Sequence, residues 1–269
     1  MNLWGVRGSI PTPDAAAIGY GGNTPCLEIQ YGDLAPLILD GGSGLRKLGL
    51  HRALNANGHG TDVHLLFSHF HWDHIQGLPF FAPLYQPNSS ISFYSSKAPD
   101  ELQSILQHQM QPPYFPVDLS SLDQRYRYCK IDSAGMPWGE LSIKPFPLRH
   151  PGGCTGYRIE SPTSCIVYAS DHEHGDATYD AILEKHAAGA DVLIYDAQYT
   201  PEEYSSRRGW GHSTWLAGAR VARAAGVRQL LLFHHDPGHD DQTLDEIVKR
   251  ASVEFENTSA AREGAVILA

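Results

Sequence analysis

Short apolar runs alternate along this chain with longer stretches that have helical character. Each run is bounded by Gly, Pro, Asp or Ser and is typical of a buried strand, whereas the stretches between combine apolar positions with small or charged residues. This alternation predicts an α/β protein. The predicted strands are 26–30, 36–39, 63–68, 91–94, 141–148, 157–160, 165–169, 191–195 and 229–233. The predicted helices are approximately 45–56, 100–110, 177–188, 213–225 and 244–256.

Small residues dominate the predicted helix 213–225, which suits close packing of this helix on a sheet. Ser213 or Thr214 would cap its first turn, and Gly226 would end it. No stretch of the sequence resembles a linker, an internal repeat or a low-complexity segment. We therefore expect a single domain over residues 1–269, a length that is ordinary for a layered α/β fold.

Composition and charge exclude some classes of partner. Asp and Glu outnumber Lys and Arg by 30 to 20 in 269 residues, so the formal net charge is −10. A sequence-independent grip on long nucleic acid needs Lys and Arg on the phosphates, and we therefore expect no such partner. No apolar run approaches the roughly 20 residues that span a bilayer. The first residues, MNLWGVRGSIP, lack the basic and apolar regions of a signal peptide.

The four cysteines show neither CxxC spacing nor the density of a disulfide-rich protein. They are interpreted as reduced thiols in a cytoplasmic protein. Cys154 lies four residues after His150, a candidate metal ligand, and we expect it to pack beside the site rather than to bind there. The cysteines are Cys26, Cys129, Cys154 and Cys165.

The densest group of potential metal ligands is the segment His69-Phe-His71-Trp-Asp73-His74, which follows the apolar run 63–67. In a tight turn at a strand end, these side chains divide into two sets that face two adjacent metal ions. Imidazole suits zinc and related metals, and carboxylate also tolerates manganese. A histidine-rich loop that binds nothing is the alternative, but this spacing is rare by chance.

Further candidate ligands follow three other predicted strands. His150 comes after 141–148, Asp171 comes after 165–169, and the pair His234 and His235 comes after 229–233. Loops at strand ends collect functional groups because the sheet fixes their positions while the side chains stay accessible. Three such sites downstream of one histidine cluster make a purely structural role for all of them improbable.

With these motifs, the chain resembles the metallo-β-lactamase fold superfamily over nearly its whole length. The resemblance implies a four-layer αβ/βα sandwich with two divalent metal ions at one edge. Zinc is the preferred metal, and manganese is the alternative. The resemblance also implies that Asp40, in LILDGGSG, supports the site from behind the ligands. The implied ligands are His69, His71 and His150 for one ion, Asp73, His74 and His234 for the other, and Asp171 as the bridge between them.

Some alternatives remain within this ligand set. His235 competes with His234, which we prefer because His-x-x-Pro after an apolar strand is the spacing of the phosphodiesterase branch of the family. His172 and His174 compete with Asp171, but a carboxylate serves best as a bridge. We expect these two histidines in the pocket wall or behind the ligands.

Two further motifs resemble those of the tRNase Z and PhnP-like phosphodiesterases. One is the glycine-rich opening, LWGVRGSIPTP followed by YGGNTPCLEI, and the other is Gly211-His212-Ser-Thr214 before a small-residue helix. In that group the histidine of the second motif gives a proton to the leaving oxygen and a Glu orients it. Here Asp196 stands at the position of that Glu and is one methylene shorter. A plain neighbour of a helix cap is the other interpretation of His212.

The resemblance implies hydrolysis of a phosphodiester to a phosphomonoester. Two metal ions would bind the phosphate oxygens and lower the pKa of a bridging water, while His212 protonates the leaving alkoxide and Asp196 holds its tautomer. The expected catalytic residues are Asp73, His212 and Asp196. The sequence contains no Ser or Cys nucleophile motif.

The segment 79–136 is rich in aromatic residues and proline. Its tract MQPPYFPVDL cannot form a regular helix, because prolines break the backbone hydrogen bonds. We expect either a lid or insertion that offers aromatic faces to a flat group, or the interface of a homodimer, or a loop that packs on its own domain. The aromatic residues are Phe80, Phe81, Tyr85, Tyr94, Tyr114, Phe115, Tyr126 and Tyr128.

The substrate is expected to be a small phosphodiester, with a cyclic nucleotide first. Only 20 residues separate His150 from Asp171, too few for the long arm with which tRNase Z enzymes of this group hold tRNA. The alternatives are an RNA-processing nuclease or another hydrolase of the fold that takes a thioester, lactone or β-lactam. A protein that only binds is disfavoured because every ligand position is filled.

Overall fold

Two mixed β-sheets form the centre of the protein. The computed structural model describes residues 1–55, 62–122 and 125–268. In the first sheet, neighbouring strands follow chain order, antiparallel up to the third strand and parallel from there on. Its strands are β1 (Asn2–Gly5), β2 (Cys26–Ile29), β3 (Leu37–Leu39), β4 (Asp62–Leu66), β5 (Ser90–Ser95) and β6 (Tyr126–Lys130).

The second sheet also runs in chain order. Its first four strands are antiparallel neighbours and its last four are parallel neighbours. Its strands are β7 (Met136–Trp138), β8 (Leu141–Leu148), β9 (Cys154–Glu160), β10 (Cys165–Ala169), β11 (Val192–Asp196), β12 (Gln229–Phe233) and β13 (Thr258–Ala260).

Helices cover the outer faces of both sheets. Helices α1 and α3 pack on the first sheet, and α4, α6 and α7 pack on the second. The helices are α1 (Gly44–Asn55), α2 (Trp72–Ile75), α3 (Pro99–Gln109), α4 (Ala177–Ala187), α5 (Pro201–Tyr204), α6 (Trp215–Ala225) and α7 (Asp241–Glu254). Short 3-10 turns lie at Ala15–Ala17, Leu78–Phe80, Ala82–Tyr85 and Leu119–Ser121.

An apolar core lies between the two sheets. Leu39 and Leu66 of the first sheet pack with Tyr168, Ile194 and Phe233 of the second, and all five side chains are fully buried. Burial of one such side chain contributes about 1.5–3 kcal/mol. With helices outside and two sheets inside, the fold is the predicted four-layer αβ/βα sandwich.

The small-residue helix α6 packs closely on the second sheet, as its sequence predicts. At Gly218 a side chain would place its Cβ 2.7 Å from the ring of Tyr195 on β11. Thr214 is the residue that caps the helix, since its side chain accepts a hydrogen bond from the Ala217 backbone N–H. Gly226 ends the helix in the left-handed conformation.

Every predicted strand and helix is present, with ends that differ by a few residues. Strand β9 begins at Cys154, earlier than predicted, because Cys154 pairs with Leu148 at the end of β8. Helix α7 begins earlier because Asp240 caps it. The predicted end of the first helix, at residue 56, lies outside the described residues. The sequence analysis missed β1, β6, β7 and β13.

Most of the segment 79–136 is built into the first sheet and its helix layer rather than standing out as an insertion. Strands β5 and β6 and helix α3 all lie within it. The tract 110–119 follows the end of α3 and contains no regular α-helix, as predicted. A lid therefore remains a prediction for this tract alone, where Tyr114 is 77% exposed.

Within the described residues, none of the helices has both the length and the apolar character that crossing a bilayer would require.

Candidate metal centre and proton-donor site

Loops that follow β3, β4, β8, β10 and β12 meet at one edge of the sandwich. Three of their residues, Asp40, Asp171 and His234, have positive φ angles of 59°, 58° and 61°. A residue other than glycine in this region costs about 1–2 kcal/mol, and such conformations are concentrated at functional sites. The sharp turns direct polar side chains from different strands toward one another.

The first set of side chains consists of three histidines. The ligand atoms of His69, His71 and His150 all lie within 4.8 Å of one another. Nε2 of His150 and Nδ1 of His71 are 2.9 Å apart. Nε2 of His69 is buried and has no hydrogen-bond partner in the part of the chain that the structure describes. A buried ring nitrogen without a partner, facing two others, fits a bound metal ion.

The second set combines one carboxylate with two histidines. Nε2 of His234 lies 3.1 Å from Oδ2 of Asp73 and 3.3 Å from Nε2 of His74. Nε2 of His74 is 3.4 Å from the same carboxylate oxygen. Three donor atoms thus converge on one point, as in the first set.

Asp171 lies between the two sets. Its Oδ1 is 3.1 Å from Nε2 of His74 and 3.4 Å from Nε2 of His234. Its Oδ2 is 3.7 Å from Nε2 of His69 and 3.8 Å from Nε2 of His150. Because each oxygen faces a different set, the carboxylate is placed to bridge two ions.

The electrostatics of the cluster favour bound cations. Burial alone would raise the pKa of Asp171, but the surrounding histidines hold that pKa well below its usual range. Burial lowers the pKa of His69. Burial would also lower the pKa of His74, but the carboxylates of Asp171, Asp73 and Asp40 outweigh it and raise that pKa well above its usual range. A metal ion that binds His74 therefore replaces a proton on its ring. Ionised carboxylates and neutral imidazoles are the protonation states that metal ligands need.

Contacts behind the ligands fix their orientation. Asp40 is completely buried, and its Oδ2 accepts hydrogen bonds from Nδ1 of His74 at 2.8 Å and from the Tyr168 hydroxyl at 2.7 Å. Its Oδ1 accepts one from the Ser68 backbone N–H at 2.7 Å. Since Nδ1 of His74 is bound in this way, Nε2 is the nitrogen that faces the cluster.

The sequence did not predict two other contacts that orient candidate ligands. Oε1 of Gln198 accepts a hydrogen bond from Nδ1 of His234 at 2.9 Å, which leaves Nε2 for the cluster. The backbone N–H of Ser9 donates to Oδ2 of Asp73 at 2.8 Å. Ser9 belongs to the glycine-rich opening, so the motif was visible in the sequence, but its contact with a residue so distant along the chain was not.

The competing histidines point away from the cluster. Nε2 of His235 donates to the carbonyl of Ala261, and burial lowers the pKa of His235 to about 3. Nε2 of His172 pairs with Asp180, and Nδ1 of His174 contacts the hydroxyl of Ser213. The geometry therefore favours His234 over His235 and Asp171 over its two neighbours. Cys154 is buried, and its thiol donates to the carbonyl of Ser170.

His212 and Asp196 form a hydrogen-bonded pair beside this cluster. Nδ1 of His212 lies 2.8 Å from Oδ2 of Asp196, so the shorter side chain still reaches the imidazole. The His212 ring stacks on that of His234 with centroids 4.8 Å apart, and its Nδ1 is 3.8 Å from Oδ2 of Asp171. Burial would lower the pKa of His212, but the carboxylate of Asp196 outweighs it and raises the pKa to about 9.

Two cavities open on the cluster. One, of about 480 Å³, is lined by His212, Asp171 and Trp72, among others. The other, of about 660 Å³, extends from His69 and His71 between aromatic, proline and hydroxyl side chains. Neither is lined by the aromatic residues predicted for the lid; Phe70, Trp72 and Phe146 supply the aromatic surface instead.

Comparison with known proteins places the chain in a family. Residues 37–235 match the beta-lactamase superfamily domain. The sequence is 31% identical over 263 residues to an uncharacterized protein of Mycobacterium leprae (strain TN), covering 95% of this chain and 83% of that protein. It is 25% identical over 257 residues to ribonuclease Z of Lactococcus lactis subsp. lactis (strain IL1403), covering 74% and 79%.

Solved structures agree on the fold. The metallo-β-lactamase fold protein YhfI of Bacillus subtilis superposes with a TM-score of 0.75 at 20% identity, covering 100% of this chain and 98% of YhfI. A diphosphatase from the PhnP family superposes with a TM-score of 0.71 at 17% identity, covering 100% and 97%. The chain therefore belongs to the beta-lactamase superfamily, a family of metal-dependent hydrolases, and has a metallo-β-lactamase fold related to that of tRNase Z and PhnP.

Proposed function

We propose that this protein is a dinuclear metal-dependent phosphodiesterase that hydrolyses a small phosphodiester, with a cyclic nucleotide as the first candidate. The observation that supports it most strongly is the pair of His212 and Asp196 at 2.8 Å, beside a cluster of seven potential ligands. A phosphodiester has a poor alkoxide leaving group, and a proton donor at this position is what its cleavage requires.

We assign the two sets of side chains to two divalent ions. Zinc is the preferred metal and manganese the alternative, because imidazoles outnumber carboxylates. Such ions supply Lewis acidity that neutralises the phosphate and lowers the pKa of a water molecule. The protein would hold them through ring nitrogens of His74, His234 and His150, whose tautomers are fixed from behind by Asp40, Gln198 and the carbonyl of Gly211.

The proton donor would act through Nε2 of His212. Because Nδ1 is bound to Asp196, Nε2 is the nitrogen available at the cavity that His212 shares with Asp73 and Asp171. Asp196 is completely buried and also accepts hydrogen bonds from the backbone N–H groups of Gln198 at 3.1 Å, of His172 at 3.3 Å and of Ser213 at 3.3 Å. It therefore stabilises the imidazolium and holds its ring while the proton passes to the leaving oxygen.

The size and the apolar surface of one cavity support a small substrate. The cavity of about 660 Å³ beside His69 and His71 lies within the usual range for small-molecule sites. Phe70 and Phe146 offer apolar surface for a base at this cavity. The cavity is also lined by Asp132 and by Lys97, whose ammonium pairs with Glu101 at 2.9 Å. Residues 151–170 are all described and form β9, β10 and the short turns beside them, so no arm for holding a folded RNA arises there.

RNA processing is the second candidate, and the similarity to ribonuclease Z of Lactococcus lactis supports it. Hydrolysis of a thioester, lactone or β-lactam stays a weaker alternative, since good leaving groups need no proton from His212. An assay of one preparation against bis(p-nitrophenyl) phosphate, nitrocefin and an acyl thioester separates these classes. We expect turnover of the phosphodiester alone; turnover of nitrocefin or the thioester without the diester would overturn the proposal.

A further inference from the structure

Glu173 is not one of the candidate metal ligands, yet its carboxylate is buried next to them. The residue is 3% exposed and lies two positions after Asp171. Its Oε1 accepts hydrogen bonds from the Gly209 backbone N–H at 2.8 Å and from the Tyr204 hydroxyl at 3.1 Å. Its Oε2 accepts one from the Gly211 backbone N–H at 3.0 Å. One carboxylate thus fixes two backbone groups of a single loop.

That loop connects a candidate metal ligand to the candidate proton donor. The carbonyl of Gly211 accepts a hydrogen bond from Nδ1 of His150 at 2.8 Å, and the next residue is His212. At Gly211 φ is +91°, and a Cβ would lie 2.3 Å from Nδ1 of His150. Only glycine lets the backbone come this close to the imidazole.

Glu173 also binds the residue that precedes His150. Its backbone N–H donates to the carbonyl of Arg149 at 2.8 Å, directly before His150. The side chain of Glu173 therefore holds the loop that orients His150, and its backbone N–H holds the residue that precedes His150. Without the carboxylate, two peptide N–H groups would lose their acceptor, and the glycines at 209 and 211 would leave the loop conformationally free.

We propose that Glu173 is a positioning residue that couples the two halves of the site. By fixing the backbone N–H of Gly211, the residue before His212, it holds the Gly211 carbonyl that sets the tautomer of His150 and aims the imidazole of His212. This inference rests on the proposed function for the role of His212, but its effect on His150 does not depend on any substrate.

The test is Glu173→Gln, which keeps the size of the side chain but replaces one acceptor oxygen with a donor that opposes the backbone N–H groups. Glu203→Gln is the matched control, because Glu203 also accepts a backbone N–H, that of Thr200 at 2.7 Å, and contacts neither His150 nor His212. Zinc affinity is measured by competition with a chromogenic chelator. Turnover is compared for an alkyl diester and bis(p-nitrophenyl) phosphate.

We expect Glu173→Gln to weaken one of the two zinc sites about 10–100-fold, the usual effect of a lost contact behind a metal ligand. It should reduce turnover of the alkyl diester at least about 10-fold more than that of the p-nitrophenyl diester, since only the alkyl diester depends on a well-aimed proton donor. Glu203→Gln should change neither the affinities nor the ratio of the two rates.

Unchanged zinc affinities and an unchanged rate ratio in Glu173→Gln would overturn the proposal. Equal weakening of both zinc sites together with equal losses on both substrates would also overturn it, since general destabilisation would explain them. If Glu173→Gln does not fold, Glu173→Asp is measured in the same way, because it keeps the charge but shortens the reach. If the wild-type protein cleaves neither diester, the proposed function fails, while the selective zinc effect still tests Glu173.

Discussion

Nδ1 of His212 and Oδ2 of Asp196 lie 2.8 Å apart in a buried pair that faces Asp171, the candidate bridging carboxylate. Asp196 comes from the end of β11, and His212 comes from the loop before α6. The pair therefore connects a strand of the second sheet to the start of a helix that packs on this sheet, at the edge where the candidate ligands meet. Its position beside the cluster is the main reason for proposing proton transfer to a leaving oxygen.

Replacing the proton donor should affect substrates according to their leaving groups. We expect His212→Ala to lower turnover of an alkyl diester about 10²–10⁴-fold. Loss on bis(p-nitrophenyl) phosphate should be much smaller, because p-nitrophenolate leaves without protonation. Steady-state kinetics on both substrates, together with elemental analysis to show intact metal content, make the measurement. Equal losses on the two substrates would rule out His212 as the general acid.

Removing the charge of the partner carboxylate should give a weaker version of the same pattern. In Asp196→Asn, Nδ1 of His212 can still donate to the amide oxygen, but the imidazolium loses its counter-charge. We expect turnover of the alkyl diester to fall about 10–10²-fold, less than in His212→Ala, with the KM unchanged. The double variant should resemble His212→Ala alone; losses that multiply would mean that the two residues act separately.

The cluster should bind two metal ions per chain. We expect two equivalents of zinc or manganese, about 3.5–4 Å apart as in other two-metal sites. Chelation should abolish activity and lower the melting temperature, because buried carboxylates such as Asp171 then lose their counter-charge. Elemental analysis and reconstitution test this. Protein that holds no metal and gains no activity from either ion would contradict it.

Asp40 should affect metal binding and stability together. Its oxygens accept hydrogen bonds from Ser68, His74 and Tyr168 in a fully buried position. In Asp40→Asn one acceptor oxygen becomes a donor, and we expect a loss of about 1–3 kcal/mol in the free energy of unfolding. Zinc affinity should fall about 10–100-fold.

Denaturant unfolding of the metal-free protein and zinc titration make these two measurements. Asp33→Asn, at an exposed carboxylate, is the matched control and should change neither quantity. Wild-type zinc affinity in Asp40→Asn would show that the contact with His74 does not orient the ligand.

The sequence was sufficient to predict the interior strands and the ligand candidates. Strands such as β10 and β12 are continuous apolar runs, and their burial depends on no particular partner. Strands β1, β7 and β13 lie at the edges of their sheets and are at most 4 residues long, so pairing with a neighbour defines them rather than composition.

The residues that orient the candidate ligands from behind were harder to predict. Gln198, Ser9 and Glu173 act through hydrogen bonds to residues that are distant along the chain, and no local pattern indicates which loops meet. The composition of the aromatic segment 79–136 left a lid, a dimer interface and packing on its own domain open, and several of its aromatic residues pack on the domain itself. Phe81 is fully buried, and Tyr126 and Tyr128 pack against the apolar core beneath α3 rather than facing the metal centre.

The proposal of a small substrate is tested most directly by offering the metal-loaded protein a 3′,5′-cyclic nucleotide and a precursor tRNA in parallel. Zinc and manganese concentrations are matched, and His212→Ala serves as the control for contaminating nucleases. We predict opening of the cyclic nucleotide to a nucleoside monophosphate, with negligible cleavage at the 3′ end of the tRNA. Efficient processing of precursor tRNA, with no hydrolysis of any cyclic nucleotide, would contradict the account.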